Sequence, residues 1–253
     1  MNEAAVLSKT AYDYFKEGPN VAQKELSEYG LQGYEVDTSL SDDYSVVIER
    51  PDGSAVISYR GTDSMEDVVP DIQIVLGRHS PFVDRFAFHR HVLTDRFERA
   101  SKKYVDASNK HNIAYVTGHS LGGTQGISVA RKHGAKAIAF NPGSSPLVEM
   151  VHAGICSVAD CGEQRQTIYT TGSDPISFSS YLFDRATDDV IKVPAKHGGD
   201  LISHSLFHFL PARLKSVEPE WLQPIVVRTG ERRPFCQVYP HLCPRMSKEK
   251  NNG

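Results

Sequence analysis

Between Ile113 and Phe140 the chain runs through an apolar strand, a glycine-rich turn, a helix and a second apolar strand with very short joins. Ile113-Ala114-Tyr115-Val116 and Lys136-Ala137-Ile138-Ala139-Phe140 read as strands, and Thr124 to Lys132 keeps helical spacing until Gly134, a residue suited to ending a helix. A strand, a helix and a strand joined so tightly close as a right-handed crossover between parallel neighbours. Parallel sheets are covered by helices on both faces, so this stretch alone predicts an α/β fold with a mostly parallel central sheet.

The rest of the chain fits around that unit. Residues 4 to 28 mix Ala, Val, Leu, Tyr and Phe with charges at helical spacing, broken at Gly18-Pro19, and predict one or two helices behind the sheet. From Tyr34 to Tyr59 the texture is β, in Tyr34–Asp37, Ser45–Glu49 and Ala55–Tyr59, and Pro51-Asp52-Gly53 predicts a hairpin between the last two. Met65 to Leu76 has helical spacing with an irregularity at Pro70, and a long amphipathic helix is expected from Pro81 to about Asn112. Residues 144 to 164 read as an irregular insertion. Gln166–Thr171 and Asp189–Val193 are further strands, and Leu201 to Leu210 reads as an apolar helix. Beyond Val217 the composition turns to Pro, Arg and Lys. The expected division is therefore one domain over 1–217 and a loosely packed tail over 218–253.

With 28 basic and 31 acidic side chains, the net charge of -3 gives no general attraction to nucleic acid or to an anionic membrane. Any contact with lipid has to be local and apolar. No run of about 18 uncharged apolar residues occurs, and Met1 to Lys9 lacks the basic start and apolar core of a secretory signal, so a soluble, cytoplasmic protein is expected. Cys156, Cys161, Cys236 and Cys243 are expected as free thiols, since a chain of this size does not need staples to fold.

Chemistry concentrates at Gly118-His119-Ser120-Leu121-Gly122-Gly123. G-x-S-x-G alone is weak evidence, but here it ends an apolar strand and opens a helix, the arrangement of an α/β-hydrolase elbow that holds a serine out at the sheet edge. The helix start behind Ser120 favours developing negative charge. A serine hydroxyl needs a base, and the base needs an orienting carboxylate, in the chain order Ser, acid, His. Asp174 follows a strand directly and is the preferred acid, ahead of Asp200 and Asp160. His197, His204 and His208 follow it, and His204 is preferred as base on order and position. His119 belongs to the turn and shapes it. The oxyanion needs donors, one from the N–H of Leu121 and the second from an earlier loop, for which Arg60-Gly61-Thr62 stands in the right place, with Thr62 as donor.

Two separated motifs, Ser58-Tyr59-Arg60-Gly61-Thr62-Asp63-Ser64-Met65-Glu66-Asp67 and Gly118-His119-Ser120-Leu121-Gly122-Gly123, together resemble the fungal-type, or class 3, lipases. The resemblance covers roughly residues 30 to 212. It implies Ser120 as nucleophile, Asp174 as acid, His204 as base, Thr62 and Leu121 as oxyanion groups, and a lid within residues 64 to 77. Phe140-Asn141-Pro142-Gly143 looks like the family's strand and loop after the elbow helix. Val68 stands where many members carry Trp after the lid aspartate. The function so implied is hydrolysis of a carboxylic ester of a lipid (acylglycerol or phospholipid) or of a simpler ester, with no metal or organic cofactor, transient contact with a lipid interface and no nucleic-acid partner.

Two other classes compete. An inactive relative would keep the fold for binding ligands or proteins. A metal-stabilised interaction protein would use His152, Cys156 and Cys161, or Cys236, His241 and Cys243, whose spacings match common zinc sites poorly.

Overall fold

The computed structural model describes residues 2–62, 83–143, 166–171, 189–194, 205–211 and 227–228. Helices α1 (Asn2–Glu17) and α2 (Pro19–Glu28) precede strands β1 (Glu35–Val36), β2 (Ser45–Glu49) and β3 (Ser54–Tyr59). Helix α3 (Val83–Ser108) then leads to β4 (Asn112–His119), helix α4 (Leu121–His133) and β5 (Ala137–Phe140). Strands β6 (Thr167–Thr171) and β7 (Asp189–Val193), a 3-10 turn (Leu206–Phe209) and β8 (Val227–Arg228) complete the described elements. The insertion at 144–164, the lid segment 64–77 and all four cysteines lie outside the described residues.

The strands form one eight-stranded sheet in simple sequence order, β1 to β8. Neighbours from β3 to β7 are parallel, and β1, β2 and β8 are antiparallel additions at the two edges. The hairpin between β2 and β3 turns where Pro-Asp-Gly predicts. The N–H of Gly53 donates to the Arg50 carbonyl at 2.9 Å with Gly53 at φ 80°, a type I turn followed by a left-handed residue that only glycine adopts without strain.

Because side chains alternate along a strand, the sheet sorts its apolar residues into two cores. Val46, Ile48, Val56, Tyr115 and Phe140 face α1 and the 3-10 turn. Val47, Ala55, Ile57, Tyr59, Val116, Ala137 and Ala139 face α3 and α4. Helices therefore cover both faces, and the architecture is α/β with a mostly parallel sheet. Among the described residues, no helix is long and apolar enough to cross a membrane.

Three details depart from the sequence reading. β4 continues through Gly118 and His119, which pair with Tyr59 and Phe140, so the first half of the glycine-rich motif is still strand. Within Leu201–Leu210, the described part is a single 3-10 turn rather than a helix. The Ser205 hydroxyl opens that turn by accepting from the Phe207 N–H, and Leu210, held extended before Pro211, closes it. Val227–Arg228, inside the stretch read as a tail, add a short strand to β7.

Candidate active site

Ser120 stands where β4 stops and α4 starts. Its φ of 56° and ψ of -128° are far from both strand and helix, a conformation costly for a residue with a Cβ. The turn is pinned from both sides: the Ser120 N–H donates to the Phe140 carbonyl at 3.0 Å, and the Ser120 carbonyl accepts from the Thr124 N–H at 3.1 Å. The serine side chain does not cap the helix. Leu121, the first helical residue, is buried directly behind it.

Glycine is required here by contact. A Cβ on Gly122 would overlap the Tyr59 carbonyl oxygen and stand 2.8 Å from both the Arg60 carbonyl carbon and the Gly61 nitrogen. A Cβ on Gly61 would meet the Tyr12 hydroxyl and the His119 carbonyl oxygen, and would lie 3.3 Å from the Ser120 Cβ. The backbone of Arg60-Gly61-Thr62 is thus pressed against the serine turn, with only missing side chains between them. The loop is held there by its first residue. The Arg60 N–H donates to the Tyr44 carbonyl at 2.9 Å and its Nε to the Asp43 carbonyl at 2.6 Å, while its own carbonyl accepts from the Arg96 guanidinium at 3.3 Å.

The back of the site is built by α1, which carries no motif. Tyr115, Thr117 and His119 alternate onto one face of β4, and α1 meets each with a polar side chain. The Tyr115 hydroxyl donates to the Glu3 carboxylate at 2.9 Å, Ser8 and Thr117 hydroxyls pair at 2.8 Å, and the Tyr12 hydroxyl lies 3.1 Å from His119 Nδ1. Four or five helical residues rise about 6 to 7.5 Å and two strand residues about 6.6 Å, so helix and strand stay in step over all three contacts. Burial, and then the Glu3 carboxylate beside it, push the Tyr115 phenol well above its ordinary pKa and keep it a donor. Three polar residues on the otherwise buried face of Ala4, Ala5, Leu7 and Ala11 were the available signal.

Next along the sheet, Asn141 takes a left-handed φ of 41° and is wholly buried. Its N–H donates to the Tyr169 carbonyl at 2.8 Å and its Oδ1 accepts the Thr171 N–H at 2.9 Å, so one side chain ties the ends of β5 and β6 together beside the serine turn. Phe209 of the 3-10 turn packs on Phe140 at 5.1 Å between ring centres, and His208 in the same turn is completely buried.

Of the residues singled out from sequence, Ser120, Leu121 and the Arg60-Gly61-Thr62 loop come together. Asp174 and His204 lie outside the described residues, as do His197, Asp160 and Asp200, and the cysteine and histidine groups considered for metal.

A separate polar group, Asp37, Glu49 and His111, lies at the opposite edge of the sheet, near the start of β4. Asp37 Oδ2 there already accepts from Lys110 at 2.6 Å and lies 2.9 Å from His111 Nε2, while its Oδ1 takes the Ser39 N–H and hydroxyl. Burial works against the Asp37 charge, but the hydrogen bonds from Lys110, Ser39 and His111 outweigh it and hold the carboxyl well below the usual carboxylate range. This is an ion-paired brace between β1 and β4, with its acceptor sites filled by protein donors.

No family model matches the chain, and no curated protein matches it. Among solved structures, lipase II from Rhizopus niveus is similar to it over 78% of this chain and 79% of its own length, at 14% sequence identity and a TM-score of 0.42.

Proposed function

We propose that this chain is a serine carboxylic-ester hydrolase acting on lipid esters, with Ser120 as nucleophile, His204 as base, Asp174 as the acid that orients it, and Thr62 and the Leu121 N–H as oxyanion donors. The observation that carries this reading is the Ser120 turn itself: a serine at φ 56°, at the mouth of a helix, with a second loop packed against it. The strain of such a turn needs a reason, and presenting a hydroxyl beside two sets of backbone donors is one.

In this reading Ser120 Oγ attacks the ester carbonyl carbon as His204 takes its proton. The carbonyl oxygen becomes an oxyanion held by Thr62 and Leu121 at the positive end of α4. Collapse expels the alcohol, which leaves with the proton from His204, and water repeats the sequence on the acyl-enzyme to release the acid. Two described segments support the acid and base assignments. Thr171, tied to Asn141 beside the serine turn, is three residues before Asp174. Ser205, which opens the turn packed on Phe140, directly follows His204. The lipid class of the substrate rests on the resemblance carried by the Arg-Gly-Thr and Gly-His-Ser-Leu-Gly-Gly motifs.

The test is hydrolysis of p-nitrophenyl esters from acetate to palmitate by wild type and by folded Ser120→Ala, His204→Ala and His208→Ala variants. Loss of activity by several orders of magnitude in Ser120→Ala and His204→Ala is expected. His208→Ala should mainly lower stability. Equal trace activity in wild type and Ser120→Ala would overturn the proposal in favour of a binding-only protein.

A further inference from the structure

Strands β5 and β6 are bracketed by two buried side-chain amides, one at each end of their ladder. The ladder pairs Ile138 with Thr167, Ala139 with Ile168 and Phe140 with Tyr169. At the end away from Ser120, Gln166 Oε1 accepts the Ala137 N–H and its Nε2 donates to the Ala135 carbonyl at 3.3 Å. At the end beside Ser120, Asn141 donates its N–H to the Tyr169 carbonyl at 2.8 Å, as the next residue of a parallel strand would. Such a residue would also accept the Thr171 N–H on its own backbone carbonyl. Here the side-chain Oδ1 accepts it instead, at 2.9 Å, and Nδ2 donates to Thr171 Oγ1 at 3.4 Å.

This replacement frees the backbone to leave the sheet while the ladder continues. Asn141 turns to φ 41°, a left-handed conformation that asparagine tolerates better than most residues. The chain then runs through Pro142 to Gly143, whose carbonyl accepts from Thr124 Oγ1 in the first turn of α4. Phe140, one residue earlier, holds the Ser120 N–H on its carbonyl at 3.0 Å. Consecutive residues at one strand end therefore hold the nucleophile turn on one side and the last residue of β6 on the other.

We infer that Asn141 is a positioning residue for the acid of the active site: it sets where β6 ends relative to Ser120, and so where the chain departs toward Asp174, three residues after Thr171. The inference rests on the reading of Ser120, His204 and Asp174 as a triad and adds the residue that couples the acid to the nucleophile. Triads tolerate little error in placement, since a shift near 1 Å costs about a hundredfold in rate. Gln166 makes the same kind of tie at the opposite end of the ladder, where it strengthens the pairing without directing the acid.

The test measures kcat and KM on a soluble p-nitrophenyl ester for wild type, Asn141→Gly, Gln166→Leu, Asp174→Asn and the Asn141→Gly/Asp174→Asn double variant, with circular dichroism confirming each fold. Glycine keeps the left-handed backbone and removes only the side chain, so Asn141→Gly should lower kcat by about tenfold to a hundredfold with KM nearly unchanged. Gln166→Leu should melt lower and keep its kcat, which separates positioning from stability. Because Asp174→Asn already removes the acid, adding Asn141→Gly to it should cost less than about twofold. If Asn141→Gly does not fold, Asn141→Gln carries the same test, since its longer amide displaces Thr171 and should lower kcat likewise. Full kcat in the folded Asn141 variant, an equal loss in Gln166→Leu, or losses that multiply in the double variant overturn the inference. Full activity in Asp174→Asn removes the acid assignment and the inference with it. Activity that survives in Ser120→Ala is the failure of the hydrolase reading, whereas activity lost in Ser120→Ala but kept in Asn141→Gly is the failure of this inference alone.

Discussion

Replacing Gly122 by alanine puts a methyl group where the backbone of the Arg60-Gly61-Thr62 loop already stands. The new Cβ overlaps the Tyr59 carbonyl oxygen and lies 2.8 Å from the Arg60 carbonyl carbon and the Gly61 nitrogen, whereas ordinary contact begins at 3.4 Å. All three are main-chain atoms, so no rotamer change relieves the overlap. The Arg60 and Gly61 atoms have to retreat by about 0.6 Å and the overlapping Tyr59 carbonyl by more than about 1 Å, displacements in the range where overpacking costs about 1–3 kcal/mol of stability. The larger effect is on rate. Oxyanion donors act only when aimed at the developing charge, and a misplacement near 1 Å is worth about a hundredfold. We expect Gly122→Ala to fold, with a lowered melting temperature, and to lose about two orders of magnitude in kcat/KM on a soluble p-nitrophenyl ester. Gly126→Ala, one turn along the same helix, is the matched control. Its Cβ would meet Tyr59 Cδ2 and Val116 Cγ2 at 3.7 Å, ordinary contact, so it should raise stability by up to about 1 kcal/mol and leave the rate alone. Full activity in Gly122→Ala, or an equal loss in Gly126→Ala, would refute the reasoning.

Tyr12→Phe removes the hydroxyl beside His119 and should lower stability by about 1 kcal/mol in urea denaturation. A Ser8→Ala/Thr117→Val double-mutant cycle should show coupling of similar size, and additivity would mean the buried pair contributes nothing of its own. Gln166→Leu strips the Ala137 N–H and the Ala135 carbonyl of a buried partner, with an expected loss of about 1–3 kcal/mol that hydrogen exchange at Ala137 should report. The Asp37 pKa is depressed in the folded state, so its stabilisation is present above the unfolded value and lost as pH falls through the folded one. The gap in melting temperature between wild type and Asp37→Asn should be full near neutral pH and close progressively below about pH 4. A gap that persists in acid would show that packing, rather than charge, separates the two.

What was legible in the sequence was local. Pro51-Asp52-Gly53 has one good backbone solution, and the hairpin follows; the strand, turn and helix around Ser120 likewise needed only neighbours in sequence. What escaped depends on distant partners. Gly118 is a poor strand residue on its own and becomes one because Tyr59 and Ala139 lie on either side. The 3-10 turn at Leu206–Phe209 has helical apolar spacing, and only the Ser205 cap and Pro211 show that it is brief. A strand of two residues, Val227–Arg228, has no period to detect. The Arg-Gly-Thr loop was found by its pattern, yet the Arg96 and Asp43 contacts that hold it come from elements with no motif. Asp174 and His204 follow from chain order and resemblance; the histidine substitutions decide the base, and loss of activity in Asp174→Asn would decide the acid.

The stitching of α1 to β4 bears on how the protein reaches its active form. The pairs Glu3–Tyr115, Ser8–Thr117 and Tyr12–His119 are separated by 112, 109 and 107 residues. Each therefore closes a loop of nearly half the chain, and contacts of such separation form late and slowly compared with the hairpin or the helices. During synthesis α1 can meet α2, β2 and β3 early, but the polar partners of Glu3, Ser8 and Tyr12 arrive only when β4 emerges, so that side of the helix is unmatched for that interval. On refolding from denaturant, far-UV ellipticity should return before the esterase activity proposed for Ser120 does, because the strand that ends at Ser120 acquires its backing only when the two ends of this long loop meet.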